Sequence, residues 1–148
     1  MNCDEDFKNM VKNLQQRIYQ DEEKTYSKKV IEEYRNPHNF GFIKNPYASG
    51  KIKGACGDTM RIGIKIRDQK ISDARFWTDG CGASIACGNM LSKMIKGKTP
   101  QEAKNIKNSD LLQALDGIPT EHQHCAKLAV DTLHNCLKNY EKLKNVKI

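Results

Sequence analysis

A chain of 148 residues, 38% of them hydrophobic, has the size of one domain that can bury a core without disulfide staples. No apolar run nears the ~20 residues of a membrane span. The opening Met1-Asn2-Cys3-Asp4-Glu5-Asp6 lacks the apolar stretch of a signal peptide and the acid-poor, Arg-rich character of a transit peptide, so a cytoplasmic protein with no membrane attachment is expected. The net charge of +7 divides into −2 over residues 1–24 and +9 over the remainder. Lys and Arg are scattered over predicted strands, turns and helices without forming an aromatic-laced patch, which argues against nucleic acid and leaves an acidic protein partner or plain solubility as their reason.

In chain order, Phe7, Val11, Leu14 and Ile18 recur at helical spacing in a polar segment and predict an amphipathic helix over residues 4–23, its thin apolar stripe open to docking on its own domain, on a second copy or on a partner, with the first expected. Ser27 is the N-cap of a second helix that carries Val30, Ile31 and Tyr34 inward until Asn36-Pro37 stops it. Asn36 to Gly50, with two prolines and two glycines, reads as a loop. The period then changes. Ile62, Ile64 and Ile66 alternate with charged or small residues, and Ile71, Ala74, Phe76 and Thr78 follow after the turn Asp68-Gln69-Lys70, the pattern of an antiparallel hairpin. Ala48 to Lys53 offers a third strand.

From Gly82 onward the pattern is helical. Gly97 closes one helix, Thr99-Pro100-Gln101-Glu102 is a capping box with Pro at the first helical position, and Ser109 caps a short helix ended by Gly117. A last helix from about Glu121 to Lys144 buries Ala129, Leu133, Cys136, Leu137 and Tyr140. The fold class is α+β: a small antiparallel three-stranded sheet covered by helices, with an additional N-terminal helix.

Six cysteines would make three disulfides only in an oxidising compartment, which nothing here indicates, so reduced thiols are expected. Cys56, in Gly54-Ala55-Cys56-Gly57-Asp58, is flanked by glycines between two strands. Cys81, in Asp79-Gly80-Cys81-Gly82, lies where a strand gives way to a helix, and Cys125 follows His124 at the start of the last helix. The N–H groups of a helix start favour a thiolate at both. All three lie at element ends, which an α+β domain can bring to one edge. Cys87 and Cys136 share helical stripes with apolar residues and read as core, and Cys3 lies on the N-terminal segment with no role. Three thiols, the Asp58 carboxylate and the His124 imidazole form a ligand set fit for zinc or iron. His38 and His122 are candidate minor ligands, and His134 belongs to the surface.

These residues resemble the IscU/NifU-type iron–sulfur cluster scaffolds. The resemblance runs from Tyr26 almost to the end of the chain. It rests on Tyr26-Ser27-Lys28-Lys29-Val30-Ile31 with Asn36-Pro37-His38-Asn39-Phe40-Gly41, then Ala55-Cys56-Gly57-Asp58-Thr59-Met60. After these come Ala74-Arg75-Phe76 through Gly80-Cys81-Gly82-Ala83-Ser84-Ile85-Ala86, and Gly97-Lys98-Thr99 with Ile118-Pro119 before His124-Cys125. The family implies a non-enzymatic scaffold that takes persulfide sulfur from a cysteine desulfurase, takes ferrous iron and electrons from other donors such as a ferredoxin, assembles a [2Fe-2S] cluster and hands it to apo iron–sulfur proteins. It also implies Cys56, Cys81 and Cys125 as cluster ligands, Asp58 as the labilising residue, His124 as an alternative ligand and Cys125 as persulfide acceptor, with zinc able to enter the empty site.

The sequence departs from the family in three places. Ile118-Pro119-Thr120-Glu121-His122 stands where members served by a dedicated Hsp70 carry Leu-Pro-Pro-Val-Lys, which puts that chaperone in doubt. Residues 1–24 precede the family's usual start as a helical extension, leaving 25–148 as the scaffold domain. With the sequence running to Ile148, the ferredoxin-like and Cys-x-x-Cys domains of full-length NifU are not expected. The short stretch from Asp58 to Cys81 and the presence of His124 argue against the zinc-dependent SufU branch. A zinc-binding structural module is the main rival reading, since three thiols with Asp or His also suit tetrahedral zinc. A cysteine-dependent enzyme is the weaker one, because sequence neighbours at a helix start point in different directions.

Overall fold

A computed structural model describes residues 3–146. Three strands, β1 (Ala48–Lys53), β2 (Thr59–Arg67) and β3 (Lys70–Thr78), form an antiparallel meander in the order β1-β2-β3. Asp68 and Gln69 both take positive φ, 54° and 67°, the geometry a two-residue hairpin needs to match the twist of its strands. The register shifts between Lys65 and Ile66, where Ser72 is passed over, so Ile71 and Ala74 are both buried. This is the expected α+β fold.

Among the described residues six α-helices accompany the sheet: α1 (Cys3–Thr25), α2 (Lys28–Arg35), α3 (Gly82–Ile95), α4 (Pro100–Lys104), α5 (Asn108–Ala114) and α6 (Gln123–Val146). Helices α3 and α6 lie on one face of the sheet and bury Met60, Ile62, Ile64 and Phe76 together with Leu91, Ile95, Leu133 and Leu137. The backbone of α6 crosses β1 so closely that a Cβ at Gly50 would lie 2.4 Å from the Cys136 nitrogen; only glycine fits that crossing. Helix α2 packs on α3 through a polar core. The Asn89 amide accepts from the Asn39 N–H at 2.9 Å and donates to the buried Glu33 carboxylate, which also accepts from Lys93 at 2.7 Å.

Several expectations change. The apolar stripe of α1 does not dock on the domain: none of its residues is buried, and Phe7, Leu14 and Ile18 are at least half exposed. Four apolar side chains spread over the three turns between Phe7 and Ile18 bury too little area to draw the helix down against the solvation of its many charges. Ser109 lies inside α5; the cap position is Lys107, whose N–H donates to the Asp110 carboxylate at 2.9 Å. Thr120–His122 form a 3₁₀ turn, so α6 begins at Gln123. The Ser27 cap (its hydroxyl accepts from Val30 N–H at 3.1 Å) and the Thr99–Glu102 capping box are present as expected. Among the described residues, no helix is long and apolar enough to cross a membrane.

Candidate metal centre

Two loops and two helix starts meet at one end of the sheet. Residues 54–58 turn tightly between β1 and β2: Gly54 N–H donates to Asp58 C=O at 2.8 Å, Gly57 N–H to Gly54 C=O at 3.0 Å, and Gly57 has φ +93°. This turn carries Cys56, exposed, with its Sγ 3.5 Å from Asp58 Oδ2. The loop after β3 is tied to it, since the Asp79 carboxylate accepts from Thr59 N–H at 2.7 Å and the Thr78 hydroxyl donates to Thr59 C=O at 2.8 Å. A Cβ at Gly80 would lie 2.6 Å from Ser84 Oγ and 3.0 Å from Asp58 Oδ2, so glycine lets the two loops close on one another.

Cys81 occupies the N-cap of α3 and makes no side-chain cap bond there, which leaves its exposed sulfur available for coordination. Cys125 lies in the first turn of α6. The ligand atoms of Cys81, His122 and Cys125 all fall within 4.8 Å of one another, close enough for one ion to touch all three. His122 reaches this position because the 3₁₀ turn carries it beneath Tyr26, whose ring centroid is 5.8 Å from the imidazole. His124 is exposed, with Nε2 3.7 Å from Cys125 Sγ. It lines a different recess of about 270 Å³ shared with Cys56, Leu128 and Asp131. Cys125 therefore has one imidazole toward Cys81 and another toward Cys56.

Thiolate stabilisation by the helix start is not the dominant effect at Cys125. Its side chain is buried, and desolvation pushes the thiol up to about 11; the Ser84 hydroxyl, donating to Sγ at 3.2 Å, pulls it down, and the nearby Cys81 and Cys56 thiols push it up again. Burial outweighs the partial charge of one helix terminus. Cys87 and Cys136 are fully buried, with thiols driven up by desolvation alone or chiefly by it, as core cysteines should be. His38 and His134 are exposed and lie outside the Cys81–His122–Cys125 group; Cys3 is also exposed. The place of His122 in the Cys81–Cys125 group depends on the 3₁₀ turn, which spacing alone does not give, and His124 Nε2 lies 3.7 Å from Cys125 Sγ although neighbours at a helix start are expected to diverge.

Residues 25–147 match the family described as "NifU-like N terminal domain". The chain is 41% identical over 124 residues to the iron-sulfur cluster assembly scaffold protein IscU 1 of Archaeoglobus fulgidus, covering 83% of this chain and 80% of that one. It is 39% identical over 127 residues to the Escherichia coli K12 protein of the corresponding name, covering 82% and 98%. In three dimensions it resembles the N-terminal part of a NifU-like protein from Brucella abortus, with a TM-score of 0.64 at 17% identity over 78% of this chain and 94% of that one. A likeness of the same order, TM-score 0.63 at 24% identity over 76% and 96%, relates it to a putative SUF-system scaffold from Fervidobacterium islandicum; at such identities both speak for the fold alone. On the extent of the sequence match and on these relatives, the chain belongs to the NifU-like N-terminal domain family.

Proposed function

We propose that this chain is a non-enzymatic scaffold on which an iron–sulfur cluster is assembled from ferrous iron and persulfide sulfur and from which it passes to apo-proteins. The observation that carries this reading is the convergence of Cys81, Cys125 and His122 within 4.8 Å, beside Cys56 and Asp58, in a chain about 40% identical to named assembly scaffolds. Soft thiolates suit iron and sulfide, whereas a carboxylate or imidazole at the edge of the set holds iron less firmly and lets the cargo leave.

In this reading Cys56, Cys81 and Cys125 ligate a [2Fe-2S] cluster, Asp58 weakens its hold, and an imidazole completes the set. His124 is the family's residue for that last task, and the approach of His122 supports it as a second candidate in this chain. Cys125 accepts the sulfane sulfur from a cysteine desulfurase. Its buried, neutral thiol has to ionise first, and a cation arriving at Cys81 and His122 favours that ionisation because ligation displaces the thiol proton. Reduction of sulfane sulfur to sulfide calls for an electron donor of the ferredoxin type. Residues 1–24 are an extension to a scaffold domain over 25–148, the site of action is the cytoplasm, and the Ile118–His122 segment puts docking of a dedicated Hsp70 in doubt.

The same three-residue group also favours a second reading, a zinc-binding module. Anaerobic reconstitution with ferrous iron, cysteine and a desulfurase separates them. A scaffold develops the visible absorption of a cluster with acid-labile sulfide in proportion to iron; a zinc module stays colourless.

A further inference from the structure

The face of the sheet turned away from α3 and α6 is not bare. The segment 41–46 folds back over it, placing the Ile43 and Pro46 side chains within 4 Å of where a Gly63 Cβ would be. Between this segment and the strands lies a groove of about 240 Å³ lined by Phe42, Ile43, Pro46, Arg61, Gly63 and Arg75. Phe42 is 62% exposed at its mouth; its ring stacks on Trp77 (centroids 6.2 Å apart, interplanar angle 16°) and the Arg61 guanidinium lies 5.5 Å from its centre. Lys51, Lys53, Lys65 and Arg67 project from the same face, all exposed. The acid beside the groove, Asp73, faces Arg75 at 3.6 Å and Lys96 at 3.7 Å, so the surface remains strongly positive. Strand alternation thus gathers into one aromatic-laced basic patch the charges expected from the sequence to be scattered, and exposed aromatic rings among arginines are the composition of protein interfaces.

The chain carries a second surface of complementary character. Helix α1 opens with Asp4, Glu5 and Asp6, and its stripe begins at once with Phe7, 61% exposed, followed by Met10 and Leu14 at 53% and 50%. The other end of the helix is fastened: Arg35 pairs with Glu22 and lies 3.8 Å over the Tyr19 ring, and α2 packs on α3, behind the covered face of the sheet. A 23-residue helix is about 34 Å long; it meets the fold at α2, and Phe7 near its other end is 61% exposed. Most of a helix's stability in a protein comes from packing its apolar face, and no residue of α1 is buried.

We propose that the acidic, Phe7-bearing tip of α1 docks in the basic, Phe42-bearing groove of a second copy of the chain, and that the exchange is reciprocal. Reciprocity makes the contact isologous and closes it as a two-fold dimer, with no open chain of head-to-tail contacts. Two such contacts per dimer join apolar burial to charge pairing of opposite sign, and the charged part weakens with salt. The assembly centre lies at the end of the sheet, apart from the groove residues, so each copy keeps its own.

Analytical ultracentrifugation of the full chain tests this at low and high salt. The wild type is expected at the mass of two chains at low salt and to shift toward one chain as salt rises. Asp4→Lys/Glu5→Lys/Asp6→Lys makes both tip and groove positive, and Arg61→Glu/Lys65→Glu with Arg67→Glu makes both negative; each variant alone is expected at the mass of one chain. Mixed, the two restore both complementary contacts and are expected to form a one-to-one heterodimer. All of these positions are exposed, and circular dichroism verifies the fold of each. A monomeric wild type, a groove variant that still dimerises (the mark of α1 pairing with α1), or a mixture that stays monomeric would each overturn the proposal.

Discussion

The Ser84 hydroxyl donates a hydrogen bond to the Cys125 thiol at 3.2 Å across 41 positions of sequence, joining the first turn of α3 to the first turn of α6. It is the influence that draws this thiol down while burial and two neighbouring thiols push it up. Ser84→Ala is therefore expected to move the pH profile of Cys125 alkylation to higher pH, and to slow persulfide loading at neutral pH with the fold intact. Peptide mass spectrometry after iodoacetamide labelling at a series of pH values reads the shift. An unchanged profile would mean that the hydroxyl does not influence the thiol.

The two imidazoles near Cys125 are separable. Titration of the reduced protein with cobalt(II), followed by thiolate-to-metal charge-transfer absorption, is expected to show His122→Gln weakening binding by at least about tenfold, a loss of the size seen on disturbing a metal site. His124→Gln should weaken it less, because His124 lies outside the Cys81–His122–Cys125 group that the fold itself brings together. The reverse order would return the ligand role to His124.

Much of this arrangement was legible in the sequence, and the reasons differ by element. The hairpin, the Ser27 cap and the Thr99 box follow from local chemistry, so residue type and spacing were enough. Cys56, Cys81 and Cys125 were visible as thiols at element ends, and Cys87 and Cys136 as members of apolar stripes. The burial of Cys125 was not, since the cover over an element end comes from elsewhere in the chain. Nor was the buried Glu33–Asn89–Asn39 network, because a polar residue on a helix reads as solvated until its partner, 50 or more residues away, is known. The docking expected of α1 failed for a related reason: periodicity identifies an apolar stripe but not the surface that receives it.

Cys87→Ala and Cys136→Ala are expected to cost about 1 kcal/mol of stability each and to leave reconstitution unchanged. They should also flatten the alkaline loss of stability. The Cys136 thiol is pushed up to about 12 in the fold, while an unfolded thiol titrates near ~8.5. The unfolded chain thus releases its proton first, so the stabilising contribution is whole below the unfolded value and is lost as pH rises toward the folded one. Urea denaturation across that range measures the effect; loss of the cluster in either folded variant would contradict their assignment to the core.

Asp58→Ala is expected to lengthen the life of the bound cluster several-fold and to slow its release. The carboxylate is a hard ligand beside soft thiolates and adds negative charge to an anionic site. If Asp58 serves only to hold the turn around Gly57, alanine loosens that turn and the cluster decays faster. The decay of visible circular dichroism under air distinguishes the two by sign.

A cluster that is cargo must pass intact to an acceptor. Reconstituted protein is mixed anaerobically with an apo-ferredoxin in the presence of an iron chelator, and the circular dichroism of both proteins is followed. The scaffold reading predicts that the donor signal disappears as the acceptor signal grows in equal measure, with little iron reaching the chelator. Retention of the cluster by this chain, or its loss to the chelator while the acceptor remains apo, would contradict it.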